Sequence, residues 1–170
     1  MNLTSEDLTS CGIDIPNLIV LGIHRSCGYD CEGEIWHQYQ KESISFGSLM
    51  AAAKLLGQFM DDLDFPQRAM LPRSFHTCST AVYNHRRKKK IVKTMDNLEG
   101  RSGKKGTFIV QVMYRQNATW QGQVTWAEQD KKAYFRSALE LMRLIDDAMN
   151  DGEKSAFLPS SGSSAGEDET

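Results

Sequence analysis

The feature that most restricts the fold of this chain is a spacing that occurs twice. Thirteen residues after Gly33 comes Phe46, and two further on Ser48; thirteen residues after Gly122 comes Phe135, and two further on Ser137. Two residues past each glycine sits a β-branched aliphatic, Ile35 or Val124. Upstream lies a mostly apolar stretch of eight residues ending in arginine, LIVLGIHR (Leu18 to Arg25) or FIVQVMYR (Phe108 to Arg115). Downstream, an amphipathic stretch closes on paired acids, Asp61-Asp62 or Asp146-Asp147, the latter match needing an offset of one turn. A fixed repeated spacing signals repeated structure even where residue identity is low.

Each copy reads as strand, strand, short strand, helix. Leu18 to Ile23 is apolar on both faces, as a central, covered strand would be. In the second copy Phe108, Val110, Val112 and Tyr114 share one face, and the more polar Ile109, Gln111, Met113 and Arg115 share the other. Glu34–Gln38 and Gln123–Ala127 give second strands, and Ile44 with Phe46, or Ala133 with Phe135, short third ones. Ser137 followed by Glu140 makes a capping box, and Leu141, Leu144, Ile145 and Ala148 then line one helix face. In the first copy Leu49, Ala53, Leu56, Phe59, Met60 and Leu63 form the stripe, with Lys54, Gln58, Asp61 and Asp62 facing out. Gly57 inside that helix suggests a close neighbour. A unit of about 45 residues is marginal alone, so two must share one core. The expected fold is α+β: an internal duplication of two βββα units, an antiparallel sheet with helices packed on it. The first unit with its N-terminal extension covers 1–63, a basic and partly helical connector 64–106, the second unit 107–149, and a disordered acidic tail 150–170.

The formal net charge of −2 conceals a strong asymmetry. Residues 1–63 carry −6, residues 64–106 carry +8, and residues 107–170 carry −4. The middle segment holds Arg86, Arg87, Lys88, Lys89 and Lys90 in a row, then Lys93, Arg101, Lys104 and Lys105. Five adjacent cations repel one another and attract phosphates. The plain alternatives are a solvated linker, or a strip that grips the chain's own acidic units.

Several other motifs carry less. The stretch Glu99 to Thr107 imitates a phosphate loop but lacks its first glycine and the hydroxyl after lysine, and a strand rather than a helix follows. Cys27, Cys31, His76 and Cys78 are weak zinc candidates, because their spacings are unlike those of ordinary zinc knuckles. Reduced, unligated thiols fit better. Cys27, His24 and Asp30 are near in sequence, which is not triad geometry. Glu34 and His37 stand an odd number of residues apart and so on opposite strand faces. No catalytic residue, metal or cofactor is therefore expected. No apolar run reaches the roughly 18 residues of a membrane span, and the N-terminus lacks the basic and apolar regions of a signal peptide. A cytoplasmic chain without a membrane contact is expected.

The tip between the second unit's strands carries Asn117, Thr119, Trp120 and Gln121. Trp120 either folds back on the core or presents an aromatic to a partner. The loop Gln116-Asn117-x-Thr119-Trp120-Gln121-Gly122, then Trp126, then Phe135-Arg136-Ser137-x-Leu139-Glu140-Leu141, resembles a family of small proteins of gut Clostridia and their plasmids and phages. The resemblance covers about 45 of the 170 residues. It implies a prokaryotic, mobile-element setting, in which small proteins regulate replication or block host defences such as CRISPR. The expected function is a non-catalytic binding protein acting on a nucleic acid or nucleoprotein enzyme. Arg86 to Lys90, Lys93, Arg101, Lys104, Lys105, Asn117, Trp120 and Gln121 would make the contact. The alternative is a small-ligand sponge or sensor with a cleft between the two units.

Overall fold

A computed structural model describes residues 15–27, 30–70, 73, 75, 98 and 100–150. The element order is β1 (Leu18–Cys27), β2 (Asp30–His37), β3 (Gln40–Phe46), α1 (Leu49–Leu63), β4 (Gly106–Tyr114), β5 (Gln121–Trp126), a 3-10 turn (Ala127–Gln129), β6 (Lys131–Phe135) and α2 (Ala138–Asn150). The strands form one antiparallel sheet in the order β3-β2-β1-β4-β5-β6. The α+β class is as expected from the sequence. Among the described residues no helix is long and apolar enough to cross a membrane.

The two centre strands are the ones apolar on both faces. Ile19, Leu21 and Ile23 of β1, with Phe108, Val110 and Val112 of β4, enter the main core beneath the helices. Leu18, Val20 and Ile109 point the other way and form a smaller cluster with Trp36 and Leu98. A strand buried on both sides is the usual occupant of a sheet's middle.

One register relates the halves. Gly33 and Gly122 are 89 apart, and the same offset converts the β1–β2 pairs Ile19–His37, Leu21–Ile35 and Ile23–Gly33 into the β4–β5 pairs Phe108–Trp126, Val110–Val124 and Val112–Gly122. Both ladders slip by one residue at the corresponding place, between Ile23 and Arg25 and between Val112 and Tyr114. Across the seam Ile19 faces Val110 and Leu21 faces Phe108, with Val20 opposite its own counterpart Ile109. This reciprocal pairing is that of a two-fold arrangement. The register corrects the simple alignment of the two apolar stretches: Phe108 matches Ile19, not Leu18, and Arg25 corresponds to Tyr114. The helices keep the offset. Ala52, Leu56 and Met60 are buried on α1 where Leu141, Ile145 and Met149 are buried on α2. Ala52 therefore takes the inward place expected of Ala53, and the two acid pairs do not correspond.

The repeated glycine and phenylalanine have one physical reason. Gly33 pairs with Phe46 across β2 and β3, and Gly122 with Phe135 across β5 and β6. A Cβ on either glycine would meet backbone of the neighbouring strand and lie 2.7 Å from the Phe46 ring or 2.8 Å from the Phe135 ring. The ring fills the volume that the missing side chain leaves. Ser48 and Ser137 then start the helices. The Ala51 N–H donates to Ser48 Oγ at 3.2 Å, and the Glu140 N–H donates to Ser137 Oγ at 3.0 Å. Each cap contributes about 1 kcal/mol. The Glu140 carboxylate accepts the Arg136 N–H at 2.7 Å, one residue before the expected box partner, and that bond holds its pKa below the ordinary value.

His37 is buried against Phe59 of α1, with ring centroids 4.3 Å apart. Burial pushes its pKa below the ordinary 6.5. The unfolded chain thus binds the proton more readily, so the stabilising contribution is present above pH 6.5 and lost as pH falls below it. Folding stability should rise with pH across that window, and His37→Phe should flatten the rise in urea titrations. Gly33→Ala and Gly122→Ala should each cost about 1–3 kcal/mol by overpacking. Gly47→Ala, where a Cβ meets nothing within 4 Å, should be nearly neutral in the same assay.

Candidate functional site

The end of β4 carries a feature that strand alternation does not anticipate. The ladder passes from Val112–Gly122 to Tyr114–Gln121, leaving Met113 as an extra residue. A bulge reverses which side chains face the core beyond it. Tyr114 is consequently 58% exposed and Arg115 only 5%. Arg115 Nη2 donates to Asp61 Oδ1 at 2.6 Å, and Nη1 to the Pro66 carbonyl at 3.4 Å. Arg68 is ion-paired with the other oxygen of Asp61. The Ala69 N–H donates to the Arg115 carbonyl at 3.1 Å, so the connector's first residues are stitched to the tip. Asp61, expected to face out, is thus shared between two guanidiniums. The Nε atoms of Arg68 and Arg115 are buried and have no partner among the described residues. Beside them is a cavity of about 170 Å³, lined by Arg68, Met70, Arg115, Ala118, Thr119 and Trp120.

The tip itself turns through Asn117 and Ala118, whose φ angles of 53° and 56° are left-handed. Gln121 closes it from the side: its Oε1 accepts the Gln116 N–H at 3.3 Å and its Nε2 donates to the Gln116 carbonyl at 3.2 Å. Trp120 is half-buried and packs toward α1, its ring 3.3 Å from where a Cβ on Gly57 would stand. That explains the glycine inside the helix, and it favours the inward reading of Trp120. Of the three tip residues expected to meet a partner, Asn117 is the exposed one.

The connector's far end is ordered by the sheet. Leu98 is buried on the face opposite the helices with Trp36 and Val20. The Lys105 N–H donates to the Ile23 carbonyl at 2.8 Å, and the Lys104 N–H to His24 Nδ1 at 3.2 Å. The Arg101 guanidinium reaches the Lys41 carbonyl at 3.5 Å, while the side chains of Lys104 and Lys105 are exposed. Arg86, Arg87, Lys88, Lys89, Lys90 and Lys93 lie outside the described residues. β4 separates Lys105 from the Asn117 tip by about 26 Å at 3.3 Å per residue. The two-fold relation likewise sends the first unit's strand ends, Cys27 of β1 and Asp30 of β2, to the opposite end from Gln116–Trp120. No single end of the sheet gathers both tips.

The sheet face away from the helices differs between the halves. In the first it is covered by Leu98, packed with Trp36, and by Gly103, close over Gly22. In the second it presents Gln111, Gln123 and Tyr134, aligned across β4, β5 and β6, and Tyr114 beyond the bulge. Tyr134 is 72% exposed. Sequence reasoning passed over both tyrosines because each stands alone in an alternating strand.

Other candidates separate. Cys27 and Cys31 are free; Cys31 is fully buried and its thiol pKa is pushed up, chiefly by that burial. His76 and Cys78 lie outside the described residues, and among those described no three metal-ligating side chains cluster. Glu34 and His37 do face opposite ways; Glu34 instead approaches His24, Oε2 to Nε2 3.4 Å. A second cavity of about 370 Å³ lies within the second half between α2 and β5–β6, walled by Phe108, Val124, Trp126 and Leu144. It is not a cleft between the units.

Asp61→Asn should cost about 1–3 kcal/mol in chemical denaturation, because it leaves the buried Arg115 facing Arg68 without a counter-charge. Arg68→Gln should cost under about 1 kcal/mol, since that side chain is partly solvated and Arg115 keeps the carboxylate. Comparison with known proteins finds no family model, no curated protein and no solved structure that matches this chain.

Proposed function

We propose that this is a non-catalytic binding protein for a nucleic acid or a nucleoprotein, contacting it through the basic connector and the open sheet face of the second half. The observation that carries this reading is the contrast between the two halves of the sheet face turned away from the helices. One half is covered by the chain's own connector, while the other displays Tyr114, Tyr134, Gln111 and Gln123. Exposed aromatics on an open sheet are stacking surfaces for unpaired bases, worth about 1–3 kcal/mol per base. Glutamine amides beside them supply both donors and acceptors. The connector's cations add a sequence-independent attraction for phosphates.

We further infer that the two halves descend from one duplicated βββα unit, on the strength of the constant 89-residue offset, the matching bulges and the two glycine–phenylalanine pairs. Duplication gave a stable frame, and the copies diverged at their tips and outer faces. In a mobile-element setting the partner would be a replication complex or a nucleoprotein of host defence, which the chain would inhibit from the cytoplasm.

Affinity for a labelled single-stranded oligonucleotide should fall steeply between 50 and 200 mM salt. Replacing Arg86 to Lys90 by alanine should weaken binding and flatten the salt slope by about 0.7 for each phosphate no longer neutralised. Tyr134→Ala should weaken binding roughly ten-fold without changing that slope. Fluorescence anisotropy reads both; a salt slope unchanged by the five substitutions would remove the connector from the interface.

A further inference from the structure

The arginine pocket at the end of β4 has a more specific chemistry than the open face. We propose that it is a receptor for one terminal phosphate group, carried by the end of a nucleic-acid strand or arriving as the free ion. For the strand-borne group the inference rests on the nucleic-acid reading above. Two guanidiniums converge there, and Arg115 is almost wholly withdrawn from solvent, at 5% exposure. Asp61 occupies one nitrogen of each arginine and Pro66 a second on Arg115, which leaves both Nε–H groups unpartnered among the described residues. Buried donors without acceptors are uncommon and call for an explanation. The unmet need is for acceptors only, and a planar guanidinium matches oxyanion geometry in its fork of N–H groups.

The walls select among anions. Among the described residues, Arg68 and Arg115 are the only charged ones lining the cavity, the others being Met70, Ala118, Thr119 and Trp120. Its volume of about 170 Å³ equals a handful of waters at roughly 30 Å³ each. That accommodates a phosphate with some solvent. Unlike an internal phosphodiester, which has chain on both sides, a terminal phosphate has chain on one side only. It also carries the larger negative charge, which suits two arginines sharing one carboxylate. Tyr114, next to Arg115 and on the other face of the bulge, places the open sheet within reach of the strand that follows the phosphate.

The test uses the full chain, the Arg68→Gln variant and the variant with Arg86 to Lys90 replaced by alanine. Each is titrated with the same single-stranded oligonucleotide bearing either a terminal phosphate or a terminal hydroxyl. Separately, inorganic phosphate is titrated against the tryptophan fluorescence of the native chain, with acetate at matched ionic strength as control. The expected result is about ten-fold or greater preference for the phosphorylated strand in the native chain. The preference should vanish in Arg68→Gln, and should persist at lower overall affinity in the connector variant. Inorganic phosphate, and not acetate, should change the fluorescence, and Arg68→Gln should abolish that change. Equal affinity for the two strands overturns capture of a strand end while leaving the broader nucleic-acid reading intact. If neither strand binds, that broader reading fails, and the phosphate titration alone decides the pocket. No response to phosphate, or an equal response to acetate, overturns it.

Discussion

The antiparallel pairing of β1 with β4 is the interaction on which the rest of the molecule depends. It joins two three-stranded units that are each marginal in size alone, and it does so with the two strands whose side chains are apolar on both faces. Val20 lies opposite Ile109 at the centre, and the flanking pairs Ile19–Val110 and Leu18–Gln111 have their reciprocals in Leu21–Phe108 and Gly22–Thr107. Burial on both sides fixes the register strongly, because a one-residue slip would move each core side chain to the wrong face. The direction of both helices follows. α1 begins at the first tip's end of the sheet and finishes beside Arg115, while α2 runs back toward Gly106.

A symmetric frame then carries unlike ends. The counterpart of Arg115 is Ser26, that of Trp120 is Cys31, and those of Gly57 and Asp61 are Asp146 and Asn150. At the first tip a small buried thiol occupies the place of the indole, and an Asn150 amide donates to Asp146 at 3.0 Å where the other end has an ion pair. The second end instead has a cavity, two converging arginines and a carboxylate held between them. Placing charge there has a desolvation cost that a closed hydrophobic contact would avoid. Such a cost is ordinary at a binding site and needs a reason at a purely structural one.

Much of the frame was legible in the sequence, for reasons that lie in particular residues. Gly33–Phe46 and Gly122–Phe135 repeat because an aromatic ring needs a glycine opposite it, and Ser48 and Ser137 because a helix start needs an oxygen. These demands act over short distances and leave fixed spacings. The arginine pocket was hidden by a bulge. Alternation assigns Arg115 to the polar face with Gln111, and one extra residue at Met113 turns it inward. Asp61 looked like a solvent-facing helix acid because its partners stand 54 and 7 residues away, the nearer one in an irregular segment. The basic run was conspicuous in composition, yet the anchoring of its end through the backbone of Lys104 and Lys105 owes nothing to their charges. Composition identified the cations and not which atoms bind.

Native-state amide hydrogen exchange tests most directly whether the β1–β4 seam makes one cooperative core. The slowest amides should include those at the centre of both strands, among them Ile19, Leu21, Ile109 and Val110. They should exchange with a common free energy equal to that of global unfolding, and denaturant should affect them alike. If β4–β6 and α2 instead opened together at a markedly lower free energy than β1–β3 and α1, the halves would be separate folding units and the seam only an interface between them.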